Sequence, residues 1–248
     1  MQEKEWDSVA ATFEEEVFNV PANDRRGLIE GAVVRHAKPG ATATDLGCGV
    51  GRTLPLLARH YARVNAVDIS SACLAVAREH CAGLANIRYV HADLSNGRKG
   101  FPQTDLVLCI NTWLSADPVL REGLVSTTCR SVVRGGHLVL VVPAVGSVRL
   151  TTLRQVQLNR AQGMDPVDAE RRALDQVAAR GLGVFLVDSV PTKHFSPEEL
   201  EVLLSDRGFA LERIEKLEYG WDTEFLEPPG WMKAPYPWDW FVEARRVR

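Results

Sequence analysis

The segment TATDLGCGVGRTLPLLA, residues 42–58, constrains this chain more than any other. A short apolar run carries Asp45 and ends at Leu46; glycines follow at 47, 49 and 51, and a helix-like pattern begins at once. Glycine at such a point lets the chain turn sharply and lets a ligand lie against bare backbone N–H groups. The dinucleotide fingerprint G-x-G-x-x-G fails in both frames, because its third glycine falls on Arg52 or on Leu54. A phosphate-binding loop fails as well, since no Gly-Lys-Ser/Thr follows. What remains is D-x-G-x-G-x-G, Asp45 through Gly51.

The flanking sequence alternates as a parallel α/β sheet requires. Strands are expected at 41–46, 63–69, 87–91, 104–110 and 137–142. The run DLVLCI is nearly all apolar, as in a strand buried on both faces. Helices are expected at 53–61, 71–82 and 118–132, with Ser70 or Ser71 as the cap of the second and Arg134-Gly135-Gly136 as a turn. Before the sheet, Trp6, Val9, Phe13 and Val17 recur at helical spacing, and a second helix covers 25–37. After Pro143 the rhythm breaks into two polar helices within 149–180, the second capped by Asp165. It resumes with a helix opened by Ser196, where Glu199 completes a capping box, and with strands at 209–219 and 238–245. An aromatic, proline-rich loop, DTEFLEPPGWMKAPYPW, joins those two strands.

Composition removes several classes. A chain of 248 residues with 46% hydrophobic and 25% charged residues is an ordinary globular protein. Its net charge of −3 lacks the basic footprint of a general nucleic-acid binder. Five cysteines without CxxC spacing suggest neither a disulfide framework nor a metal site. No apolar stretch is long enough to span a bilayer, and the charged N-terminus has no secretory core, so a cytoplasmic location is expected.

The motif from Asp45 to Gly51, with Asp68 in NAVDIS, Asp93 in VHADLS, the strand-four segment DLVLCINTWLS and the turn in SVVRGGHLVLVVP, resembles the class I S-adenosylmethionine-dependent methyltransferases over roughly residues 40–143. The resemblance implies a Rossmann-like, doubly wound, seven-stranded mixed sheet with N-terminal lid helices (1–39), a cofactor-binding half (40–143), a helical cap insertion (144–194) and C-terminal strands with the aromatic loop (195–248), all in one domain. It implies S-adenosylmethionine as cofactor and S-adenosylhomocysteine as product. By the same resemblance Asp45, Gly47, Cys48, Gly49 and Gly51 lie along the methionyl part and ribose, Asp68 and Ile69 at the ribose, Asp93 and Leu94 at the adenine, and Asn111 beside them. WDSVAATFEEEV is similar to the family's lid helix, with Phe13 where an aromatic closes over the cofactor. The residues alone leave other roles open: Asp68 and Asp93 equally suit helix caps, and Cys48 equally suits packing.

Methyl transfer needs positioning and exclusion of water more than an acid or base. Candidates for contact with the acceptor are Asn111, Thr112 and Trp113 after strand four, His194 before the Ser196 cap, and Tyr236, Trp231 and Trp238 in the late loop; His194, Asn111 and Tyr236 are the catalytic candidates. Glu14, Glu15 and Glu16 read as a solvated face. The expected activity is methylation of an oxygen or nitrogen of a small molecule by a monomer or homodimer. A methyltransferase of protein or RNA and a non-catalytic cofactor-binding protein are the alternatives, with a nicotinamide oxidoreductase disfavoured by Arg52 and Leu54.

Overall fold

A computed structural model describes residues 3–96, 101–177, 181–187 and 189–248. Four short helices come first: α1 (Glu3–Val9), α2 (Phe13–Glu16), α3 (Val20–Asn23) and α4 (Leu28–His36). The amphipathic face expected as one N-terminal helix is thus broken between Val9 and Phe13, and its two pieces pack on Val50 of the glycine turn and on Cys73 of the helix expected at 71–82. Alternation then runs β1 (Thr42–Leu46), α5 (Leu54–His60), β2 (Arg63–Asp68), α6 (Ser71–His80), β3 (Ile87–His91), β4 (Thr104–Ile110), α7 (Pro118–Arg130) and β5 (Val132–Pro143). Caps fall where side chains allow: Ser70 Oγ accepts from the Cys73 N–H, and Asp117 Oδ1 accepts from Val119 and Leu120.

The insertion holds α8 (Val145–Ala161), α9 (Pro166–Gln176) and a hairpin of β6 (Val184–Val187) and β7 (Val190–Lys193). It is therefore not purely helical; the hairpin's strands are too short, and one too proline-broken, to show a period. Asp165 caps α9 as expected. The insertion leaves and re-enters the domain at one point, where the Phe195 N–H donates to Pro143 O and the Val145 N–H to Phe195 O. The chain closes with α10 (Pro197–Asp206), β8 (Phe209–Glu218) and β9 (Trp238–Arg246). Ser196 caps α10, but Glu199 turns to Lys193 Nζ at 2.7 Å instead of completing a capping box.

The seven strands lie in the order β3-β2-β1-β4-β5-β9-β8, parallel from β3 to β5, with β9 antiparallel to both neighbours. Successive residues of β4 feed opposite layers. Leu106 and Leu108 pack with Leu54, Leu57, Leu74 and the α4 residues Ala32 and Val33. Val107 and Cys109 pack with Val125, Cys129, Leu200 and Leu204 of α7 and α10. The 134–136 segment expected as a turn is instead part of β5, which passes a register shift there with Gly135 at φ +81°. All five cysteines are buried and free. Among the described residues no helix is long and apolar enough to cross a membrane.

Candidate functional site

Parallel pairing brings the carboxyl ends of β1, β2, β3 and β4 to one edge, with Leu46 opposite Val67 and Cys109, and Asp68 opposite His91. Helix dipoles and loops face a ligand along such an edge. The glycine turn sits at its centre. The Gly47 and Cys48 N–H groups donate to Val67 O at 2.8 and 3.0 Å, which pins the turn on β2. Gly47 and Gly49 have φ of +75° and +51°, a region that side chains resist. Close approach adds to this: a β-carbon would stand 2.3 Å from Thr112 Oγ1 at Gly47 and 2.7 Å from Phe13 Cζ at Gly49.

Three acids serve this edge in different ways. Asp45 is buried beneath the turn and accepts the Thr53 hydroxyl; burial pushes its carboxyl up to about 7. Asp68 Oδ2 accepts from the Gly49 N–H and Oδ1 from the Ser70 N–H, each at 2.8 Å. Burial raises its pKa while those bonds oppose the rise. Asp93 is half-buried, and its Oδ1 accepts from the Ser95 N–H at 2.8 Å and hydroxyl at 2.7 Å, shaping the short turn 94–96. Cys48 and Leu94 are buried and Ile69 half-buried along the same edge. Burial drives the Cys48 thiol well above its ordinary value, so it stays protonated.

The first two helices cover the turn. Trp6, Val9, Ala10 and Phe13 pack against Val50 and Cys73, and Asp7 Oδ1 accepts from Ser70 Oγ at 2.6 Å. Arg52 ties the cover down: its guanidinium donates to the Glu14 carboxylate and to the carbonyls of Phe13, Val17 and Phe18, and lies 4.9 Å from the Phe13 ring centroid. Glu14, Glu15 and Glu16 are exposed as expected of a solvated face, and Glu14 in addition pairs with Arg52. The sequence offers Arg52 only as a missing glycine; its partners come from a distant helix.

Beyond β4, Asn111 occupies the left-handed region at φ +47°, and its N–H donates to Val141 O. Its Nδ2 reaches Asp239 Oδ2 at 3.4 Å, and Tyr219 donates to the same oxygen at 2.8 Å. Burial pushes the Asp239 carboxyl up to about 6, against the pull of those two donors. Neither Asp239 nor Tyr219 stands out in sequence, although an acid between two tryptophans, WDW, on the inward side of a strand is a usable signal.

The other candidates lie in different settings. His194 is buried in the inserted hairpin, edge-on to Phe185, with Nδ1 at 3.1 Å from Thr192 O. Burial lowers its pKa to about 4, so it is a neutral packing residue rather than one near an open mouth. Trp113 is wholly buried and donates to Thr128 Oγ1, as core. Tyr236 is half-buried on the late loop, Trp231 is exposed and Trp238 is buried. His36, His137 and Glu212, at the opposite end of the sheet, place ligand-type atoms within 4.8 Å of one another. The two imidazoles are stacked at 3.7 Å, so their lone pairs run side by side instead of converging on an ion.

Residues 43–136 match the family model described as "Methyltransferase domain". No curated protein is significantly similar to the chain in sequence. Among solved structures, a SAM-dependent methyltransferase of Methanosarcina mazei aligns at 19% identity and a TM-score of 0.61, covering 87% of this chain and 97% of that one. The N-methyltransferase NodS of Bradyrhizobium japonicum, in complex with S-adenosylhomocysteine, aligns at 10% identity and 0.62, covering 99% and 98%. Magnesium protoporphyrin IX methyltransferase of Synechocystis, with S-adenosylhomocysteine bound, aligns at 18% identity and 0.55, covering 98% and 94%. Residues 43–136 thus match a methyltransferase domain, and the fold is that of the class I S-adenosylmethionine-dependent methyltransferases. The cofactor of that class is S-adenosylmethionine, and the bare glycine turn, the acids at the ends of β2 and β3 and the orphaned buried Asn111 Oδ1 fit such a group.

Proposed function

We propose that the chain methylates an oxygen or nitrogen atom of a small molecule. In this reading Gly47, Cys48, Gly49 and Gly51 lie along the methionyl part and ribose of the cofactor above the buried Asp45. Asp68 and Ile69 meet the ribose, Asp93 and Leu94 the adenine, and Asn111 the methionyl end. The bound sulfonium supplies an activated methyl group. Held by these residues, it would be placed for in-line displacement by the acceptor atom. The protein's part is to orient the two partners and exclude water.

The observation that carries the small-molecule reading is the wall built by α8 and the late loop. The Trp238 ring packs so tightly on α8 that a β-carbon at Gly146 would stand 2.7 Å from Trp238 Cζ2. Trp221 and Met232 are buried beside it in the loop. Arg154 of α8 lies over the Trp221 ring and donates to Lys233 O at 2.8 Å, clamping loop to helix. In this reading the wall would close one side of a pocket for a small acceptor, where a polymer would need an open groove. Arg154 Nε and Trp238 Nε1 are buried donors without partners, which suits an acceptor bearing oxygen atoms. NodS and the magnesium protoporphyrin IX enzyme lend support as methyltransferases of similar fold.

Release of S-adenosylhomocysteine from S-adenosylmethionine, measured against panels of phenols, amines and carboxylic acids and against RNA and protein, tests this reading. Turnover confined to the small-molecule panels is expected. Turnover with RNA or protein alone would contradict it.

A further inference from the structure

Two of the buried acceptor atoms without partners, Asp24 Oδ1 and Asn111 Oδ1, belong to the surroundings of Tyr219. Asn111 touches Asp239, which Tyr219 also holds. After burial, the charges of Asp239 and then Asp24 act on the Tyr219 phenol and push its pKa up, so both carboxylates lie close to it. Among the described residues, no lysine, arginine or histidine forms an ion pair with Asp239 or Asp24. The cluster is rich in acceptors, and the cations near it, Arg25 beside Gly220 and Lys216 over the Trp238 ring, are ion-paired to neither Asp239 nor Asp24. Its two donors to Asp239 are neutral and both fall on Oδ2. A buried carboxylate served only by neutral donors is costly to ionise, and a cationic guest offsets that cost.

Position says where such a guest would come from. Asp239 is the second residue of β9, opposite Pro143 at the carboxyl end of β5, and thus on the same edge as the glycine turn. Asn111 is followed by Thr112, whose hydroxyl donates to Leu46 O and stands against Gly47. The cluster and the turn are joined through two adjacent residues. Phe18 covers Tyr219 edge-on at 4.7 Å while Phe13 covers Gly49, so one N-terminal segment roofs both.

We propose that Asp239, positioned by Tyr219 and Asn111, is the counter-charge for the positive end of the cofactor, its α-ammonium or its sulfonium. This rests on the reading that the glycine turn takes S-adenosylmethionine. Asp239 lies outside the matched segment 43–136, on the last strand.

Calorimetric titration with three probes separates the possibilities. S-adenosylmethionine carries both cationic groups, S-adenosylhomocysteine only the ammonium, and 5′-methylthioadenosine neither. In Asp239→Asn, affinity for S-adenosylmethionine falls by about tenfold or more while that for 5′-methylthioadenosine is kept. An equal fall for S-adenosylhomocysteine assigns the ammonium; an unchanged homocysteine affinity assigns the sulfonium. Tyr219→Phe keeps the carboxylate, and gives a smaller loss in the same order among the probes. Equal losses for all three probes, or none for any, overturn the proposal. If the wild-type protein binds none of the three, the cofactor reading itself has failed, a result distinct from a selective or unselective effect of the variants.

Discussion

Asp68→Ala is expected to weaken S-adenosylmethionine binding by about two orders of magnitude, from the loss of about 3 kcal/mol. The buried carboxylate holds the Gly49 N–H with one oxygen and the Ser70 N–H with the other. It thus ties the glycine turn to the start of α6, and its removal leaves two amides without acceptors. Each bond to a charged acceptor is worth roughly 1.5–3 kcal/mol, and unsatisfied buried amides add their desolvation cost. The same carboxylate is the group proposed to meet the ribose, so both effects act on the cofactor. Asp68→Asn keeps the shape but leaves one of its two polar atoms a donor, and an intermediate loss is expected. Isothermal titration of both variants measures this directly. A dissociation constant for Asp68→Ala within about threefold of wild type would mean that the acid serves only the local turn.

Gly123→Ala is expected to cost stability, although alanine favours a helix interior over glycine by about 1 kcal/mol. Gly123 lies in α7 against the turn 94–96, where a β-carbon would stand 1.7 Å from Ser95 O and 2.6 Å from Ser95 C. Both obstacles are backbone, so no rotamer relieves them. Thr127, one turn further on, fastens the same contact by donating to Leu94 O at 2.8 Å. The helix must move outward and carry Val125 and Cys129 with it, away from Val107 and Leu94 in their shared core. Overpacking of this severity costs about 3 kcal/mol. That corresponds to a fall in Tm of roughly 6–12 °C for a domain of this size. Scanning calorimetry of the variant would contradict the packing described here if Tm stayed level or rose.

The strands of the cofactor-binding half and several helix starts along the chain are legible because their signals are local. Runs such as DLVLCI are buried on both faces, and Ser70, Asp165 and Ser196 cap helices with their own side chains. The features that escaped depend on distant partners. Arg134-Gly135-Gly136 has the composition of a turn, and it sits in the register shift of β5 between the Val132 and His137 pairs with β4, an irregularity inside one long strand. Glu199 has the spacing of a capping box, but the buried Lys193 ammonium competes for it and wins. The break at Ala10–Thr12 follows from the need of α1 and α2 to wrap α6 and the turn, which no helix propensity encodes. Glu14 reads as one of three solvated acids, and its pairing with Arg52 shows only in the fold. Tyr219 lies just past the end of β8 and Asp239, 20 residues on, in the paired strand β9, and only the sheet brings them to Asn111. His194 had suitable chemistry and an apparently suitable place, and the inserted hairpin buries it.

The central claim is that the edge around Gly47, Gly49, Asp68 and Asp93 takes an adenosyl-methionyl ligand and not a dinucleotide. Thermal unfolding of the wild-type protein with S-adenosylmethionine, S-adenosylhomocysteine and NAD in turn tests it most directly. A ligand at about a hundred times its dissociation constant adds about 2.7 kcal/mol of stability, an upward shift of several degrees. The account predicts that shift with both sulfur ligands and none with NAD. A shift with NAD and none with either sulfur ligand would contradict it.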